Sequence, residues 1–114
     1  MAKDCIFCQI ANHQADAKIE YEDEDFIVFH DIKPSAPVHV LIVPKRHIEL
    51  ADDLVEWEAI SGRILSIAKR VAKKLGIAES GFKLVMNCGR GAGQMIDHLH
   101  FHLIGGWEKD PGLV

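Results

Sequence analysis

His98-Leu99-His100-Phe101-His102 alternates three imidazoles with large apolar side chains. A strict period of two belongs to a β-strand, so the three rings fall on one face at a repeat of about 6.6 Å, while Leu99, Phe101 and Leu103 face a core. Imidazole, with an unperturbed pKa of about 6.5, serves at neutral pH as nucleophile, acid, base or metal ligand. A single strand histidine is usually a half-buried polar residue; three on one face point to chemistry. The run continues into Leu103-Ile104-Gly105-Gly106. It follows Cys88-Gly89-Arg90-Gly91-Ala92-Gly93-Gln94, a glycine-rich loop able to set main-chain N–H groups against an anion.

Outward from this stretch the pattern reads as a small α+β domain. Cys5 to Ala11 spaces Ile6 and Ile10 four apart, as in a short amphipathic helix with both Cys5 and Cys8 in its first turn. Lys18–Tyr21 and Phe26–His30 read as a hairpin about the acidic turn Glu22–Asp25. Asp31–Pro37 is a loop, because its prolines cannot donate to a ladder. Val38–Val43 is apolar throughout except His39, which predicts a central strand buried on both faces. Trp57, Ile60, Ile64, Ile67, Ala68, Val71, Ala72 and Leu75 form one stripe of a long helix that stops at Gly76 and has no chemical task of its own. Phe82–Met86 and Leu99–Ile104 complete an antiparallel sheet of about five strands, with the long helix on one face and the histidine row on the other. The tail from Trp107 to Val114 has no periodicity, and its tryptophan suggests docking, with a second subunit as one partner.

The 114 residues suffice for one core and a single domain. A net charge of −4, with cations gathered between Arg63 and Lys74 on one helix, argues against a nucleic-acid surface. No stretch approaches the roughly 20 apolar residues of a membrane span, and Met1-Ala2-Lys3-Asp4 lacks a signal-like apolar run, so a cytoplasmic protein is expected. In a reducing compartment Cys5, Cys8 and Cys88 are not expected to form disulfides. Cys5-Ile6-Phe7-Cys8 then invites a metal or redox role, with reduced core cysteines as the plain alternative; no βαβ pattern supports a thioredoxin-like one.

His98-Leu99-His100-Phe101-His102-Leu103-Ile104 resembles the motif of the histidine triad (HIT) superfamily. With Phe29-His30-Asp31-Ile32, Pro44-Lys45-Arg46-His47, Asn87 and Gly105-Gly106 in this order, Cys5 to Gly106 is similar to its Hint branch, the purine nucleoside phosphoramidases. The resemblance implies a HIT-like fold, a homodimer and hydrolysis of nucleoside 5′-phosphoramidates through a nucleotidyl-histidine. A dinucleoside polyphosphate hydrolase and a weakly catalytic nucleotide- or zinc-dependent interaction module are the alternatives. It makes His100 the nucleophile and gives phosphate oxygens to His102 and to the backbone of Gly93, Gln94 and Met95. His39 joins the proton network, and His98 completes the triad. Asp31, with Ile32 beside it, becomes the ribose carboxylate, and Asn87 assists at the sugar and phosphate. Ile6, Phe7, Ile10 and Phe29 form a purine slot. No metal is required for this chemistry, since the substrate presents a good protonatable leaving amine.

The resemblance also implies a structural Cys₂His₂ zinc site of Cys5, Cys8, His47 and His98 that ties the N-terminal helix to the sheet. Two positions depart from the pattern. Met95 replaces a usual serine, and a thioether donates no hydrogen bond. Asp97 replaces a tyrosine, and a carboxylate beside the triad could repel phosphate or hold a histidine cationic. Cys88 reads as a bystander.

Overall fold

The computed structural model describes residues 4–49 and 54–112. Met1 to Lys3 and the last two residues of the tail lie outside the described residues. The elements run α1 (Ile6–Ala11), β1 (Ile19–Glu22), β2 (Phe26–His30), β3 (Val38–Pro44), α2 (Leu54–Lys74), β4 (Phe82–Val85), a 3₁₀ turn (Arg90–Ala92) and β5 (Phe101–Gly105). The five strands form one antiparallel sheet in the order β1-β2-β3-β5-β4. The hairpin, the central strand and the helix-covered face expected from the sequence are all present.

The sheet has two unlike faces because β3 alternates between two apolar partners. Val40 and Ile42 join Ile64, Ile67, Ala68 and Val71 of α2 in one core, with Leu99 and Leu103. Leu41 and Val43 face the other way, onto Phe7, Ile10 and Ala11 of α1 together with Ile27 and Phe29. A six-residue helix is too short to hold itself in water, so α1 depends on this packing.

Helix α2 begins at Leu54, three residues before its apolar stripe, where Glu56 places a carboxylate in the first turn, favourable at the positive end of the helix dipole. It ends as the stripe predicts. Gly76 has φ +76°, its N–H donates to the Lys73 carbonyl, and the N–H of buried Ile77 reaches back to Ala72, a left-handed cap that glycine adopts without strain.

Strand β5 is shorter at its start than the alternation suggests. Ladder pairing begins at Phe101, opposite Ile42, while the Leu99 N–H donates to the Ile48 carbonyl instead. His98 to His100 therefore lie outside the ladder, on the segment that leads into β5. The alternation survives, with Leu99 and Leu103 buried against the α2 side.

Trp107 folds back onto its own chain. The ammonium of Lys83 on β4 lies 5.7 Å from the indole centroid and also donates to Asp110 and to the Gly112 carbonyl.

Ile42, fully buried at the centre of the α2 face, tests this packing. Ile42→Ala should cost about 2–5 kcal/mol of stability, read as a lowered urea midpoint at unchanged m-value.

Candidate functional site

His39, His98, His100 and His102 form one group, and main-chain groups decide which nitrogen of each ring carries the proton. A carbonyl can only accept and an amide N–H can only donate, so each such bond fixes a neutral tautomer. The fully buried His98 ring donates from Nε2 to the Pro44 carbonyl at 2.8 Å, which leaves Nδ1 bare. His100 donates from Nδ1 to the His98 carbonyl at 2.7 Å, which leaves Nε2 bare. His39 accepts the Ser35 N–H at Nδ1, 2.9 Å, so Nε2 bears its proton and donates to His102 Nδ1, also at 2.9 Å. His102 then holds its own proton on Nε2. Burial is the main reason that His102 and His98 are both pushed down to about 4, with neighbouring imidazoles adding to it. Burial lowers His39 too, against the charge of Asp31. These three rings are neutral at pH 7.

The bare Nδ1 of His98 points at sulfur. It lies 3.3 Å from Cys5 Sγ and 3.6 Å from Cys8 Sγ, while His47 Nδ1 lies 3.3 Å from Cys8 Sγ. All four ligand atoms fall within 4.8 Å of one another. A tetrahedral Zn²⁺ bonded at about 2.3 Å to sulfur and 2.0 Å to nitrogen separates those atoms by about 3.5 Å. The donor set therefore fits such an ion. With four protein ligands it would be a closed structural centre.

Asp31, His39 and His102 also come within 4.8 Å of one another, with 3.5 Å from Asp31 Oδ2 to His39 Nε2. That nitrogen carries a proton while the Ser35 N–H holds Nδ1, so the trio is a proton-bearing relay and does not offer a metal a lone pair there.

A cavity of about 450 Å³ opens beside the relay, within the range of small-molecule sites. Ile6, Phe7, Ile10 and Phe29 line one part of it, Asp31 and Ile32 another, and His100, His102, Asn87, Gly93 and Met95 a third. The sequence-based set is thus brought together, with three exceptions, of which His39 stands in the relay through His102 and does not itself line the cavity. The His98 side chain does not reach the cavity, because both of its nitrogens face elsewhere; it supports His100 through its carbonyl. Gln94 is turned inward: its Oε1 accepts the Gly89 N–H and its Nε2 donates to Ile96 O, bracing the loop. Lys33, Leu41 and Ile96 line the cavity without having been singled out. Leu41 was legible, lying two residues along β3 from His39; the Lys33 N–H caps Asp31 Oδ1 at 2.9 Å in a turn that the Asp-x-Lys spacing permits.

The glycine-rich loop uses most of its own donors. The Gly93 N–H bonds Arg90 O and the Gln94 N–H bonds Gly89 O, while Asn87 Nδ2 donates to Ala92 O. Of the Gly93 to Met95 amides expected to meet phosphate, the Met95 N–H alone has no such partner among the described residues. Met95 carries its side chain outward, 80% exposed, so the loss of a serine hydroxyl leaves that main-chain donor in place. Asp97 pairs with Arg90 at 2.8 Å and does not line the cavity, so the expected repulsion at the triad does not arise.

Residues 12–109 match the model of the HIT domain. The chain belongs to the HIT family. It is 40% identical to the purine nucleoside phosphoramidase of Escherichia coli K12 over the whole chain and 97% of that protein. A histidine triad protein from Clostridium difficile superposes with a TM-score of 0.92 at 37% identity, covering 100% of this chain and 99% of that one. A Zn-bound histidine triad family protein from Mycobacterium smegmatis gives 0.79 at 32% identity over 95% of this chain and 78% of that one. HIT family membership and the E. coli relative together support a nucleotide hydrolase. No helix among the described residues is long and apolar enough to cross a membrane.

Two measurements check the electrostatics of the HIT site. A ring whose folded pKa lies below its unfolded value costs stability as the pH falls through the unfolded value, about 6.5, and the cost levels off near the folded one, here about 4. His102→Asn should therefore show a shallower loss of Tm than wild type between pH 7 and 4.5, in parallel thermal melts. Cys8→Ser should weaken metal uptake and lower Tm together, by metal analysis and calorimetry on the same sample.

Proposed function

We propose that the protein hydrolyses purine nucleoside 5′-phosphoramidates at the P–N bond through a nucleotidyl intermediate on His100, with a structural zinc ion at Cys5, Cys8, His47 and His98. The observation that carries this reading is the fixed tautomer of His100: its proton is held at Nδ1 by the His98 carbonyl, so Nε2 is a nucleophile that needs no separate base. The purine enters the apolar slot of Phe7, Ile10 and Phe29, and Asp31 accepts the ribose hydroxyls. The His102 Nε2–H and the Met95 N–H donate to phosphoryl oxygens. His39 and the Ser35 amide keep the His102 proton on that nitrogen. His100 Nε2 bonds to phosphorus as the P–N bond breaks, and the leaving nitrogen takes a proton from solvent and departs as an amine. Water then adds to phosphorus, the His100–phosphorus bond breaks, and a nucleoside monophosphate and free His100 result.

The test is steady-state hydrolysis of an adenosine 5′-phosphoramidate beside a diadenosine polyphosphate, with wild type and His100→Ala. Preference for the P–N substrate, and a loss of at least about a thousandfold in the variant, are expected. Wild-type protein that binds AMP but turns over neither substrate would make it an interaction module, and turnover surviving in His100→Ala would remove the nucleophile.

A further inference from the structure

We propose that Phe7 is a positioning residue through which occupancy of the Cys5, Cys8, His47 and His98 cluster sets nucleotide affinity; this rests on the metal and nucleotide readings above. The two sites share one short helix. Cys5 caps α1 without a side-chain hydrogen bond and Cys8 lies in its first turn, while Ile6, Phe7 and Ile10 of the same six residues line the nucleotide cavity. Between the cysteines stands Phe7, 5% exposed, its ring edge-on to His98 at 5.8 Å and to His100 at 5.0 Å between centroids, and to Phe29 at 5.6 Å. One side chain thus touches a metal ligand, the nucleophile and the purine slot.

A metal ion on the cysteines would clamp α1 at both ends of the Phe7 step. Without the ion, α1 is one and a half turns held by its apolar packing and by the weak thiol–imidazole contacts of Cys5 and Cys8 in place of metal bonds, and the wall it gives the purine is correspondingly less ordered. A ligand that must order a wall binds more weakly than one that finds it ordered, and linkage makes the effect reciprocal: nucleotide must tighten metal by the same factor.

The test uses the full chain, with AMP and Zn²⁺ as probes. Titration calorimetry measures AMP affinity in zinc-loaded and chelator-stripped protein, and competition with a chromophoric chelator measures zinc affinity with and without saturating AMP. The expected result is a change of about tenfold in each direction, equal within error. In Phe7→Leu, which retains an apolar side chain but lacks a ring to bridge His98 and His100, this ratio should shrink below about twofold while zinc binds one to one. Should stripped wild type unfold, Cys5→Ser retains three ligands, and its AMP affinity is compared below and above its own zinc affinity. AMP affinity unchanged by zinc in folded protein, or a ratio undiminished in Phe7→Leu, overturns the proposal. Absence of zinc uptake sinks the metal reading and this inference with it. Absence of AMP binding sinks the proposed function. Both ligands bound and uncoupled sinks this inference alone.

Discussion

The hydrogen bond from His98 Nε2 to the Pro44 carbonyl governs the rest of the site. It joins the end of β3 to the segment entering β5, and it settles the orientation of a ring with no access to solvent. Once Nε2 is committed, Nδ1 must face α1, where the two thiols are. The same residue's carbonyl then holds the proton of His100 on the nitrogen next to the backbone. The candidate metal cluster and the bare Nε2 of His100 are thereby both consequences of one residue's placement, the first through its side chain and the second through its main chain. An uncommitted ring at that depth would leave a buried polar atom unsatisfied, at a cost of roughly 1–3 kcal/mol.

A division of labour follows across the sheet. The α2 face is an apolar core with a regular helix over it, and the α1 face trades apolar packing for imidazoles and sulfur. Stability resides on one side and chemistry on the other. This separation lets the histidine face carry three rings held neutral by burial, because the opposite core supplies the favourable energy that buried polar groups do not.

Much of this was legible in the sequence because it depends on period and spacing. Alternation from His98 to Leu103 placed the rings and the core residues on opposite sides, and the i, i+3 and i, i+4 stripe gave α2 and its stop at Gly76. Motif resemblance supplied the membership of the cavity, which spacing alone does not. What could not be read were facts of orientation. Nothing in the order of residues says that the Gln94 side chain folds into its own loop, that Asp97 is taken by Arg90, or that His98 spends both nitrogens away from the cavity. Those outcomes rest on which hydrogen bonds close in three dimensions, and a period-two pattern carries no information about ring tautomers. The ladder's start at Phe101 escaped for a similar reason: Leu99 found a partner in Ile48, outside the sheet.

The self-satisfied glycine loop has an electrostatic consequence. With the Gly93 and Gln94 amides spent internally and Arg90 turned to Asp97, the loop end of the cavity, where the proposed reading puts the phosphorus, is furnished chiefly with the Met95 amide and the His102 ring and with no guanidinium. A phosphoramidate linked to sugar and amine carries one negative charge, whereas the monophosphate left after cleavage carries nearly two. Neutral dipoles gain less from the second charge than a guanidinium would, and water competes for that extra charge on better terms. On the proposed reading, such a corner would suit the singly charged substrate and leave the doubly charged product to the solvent.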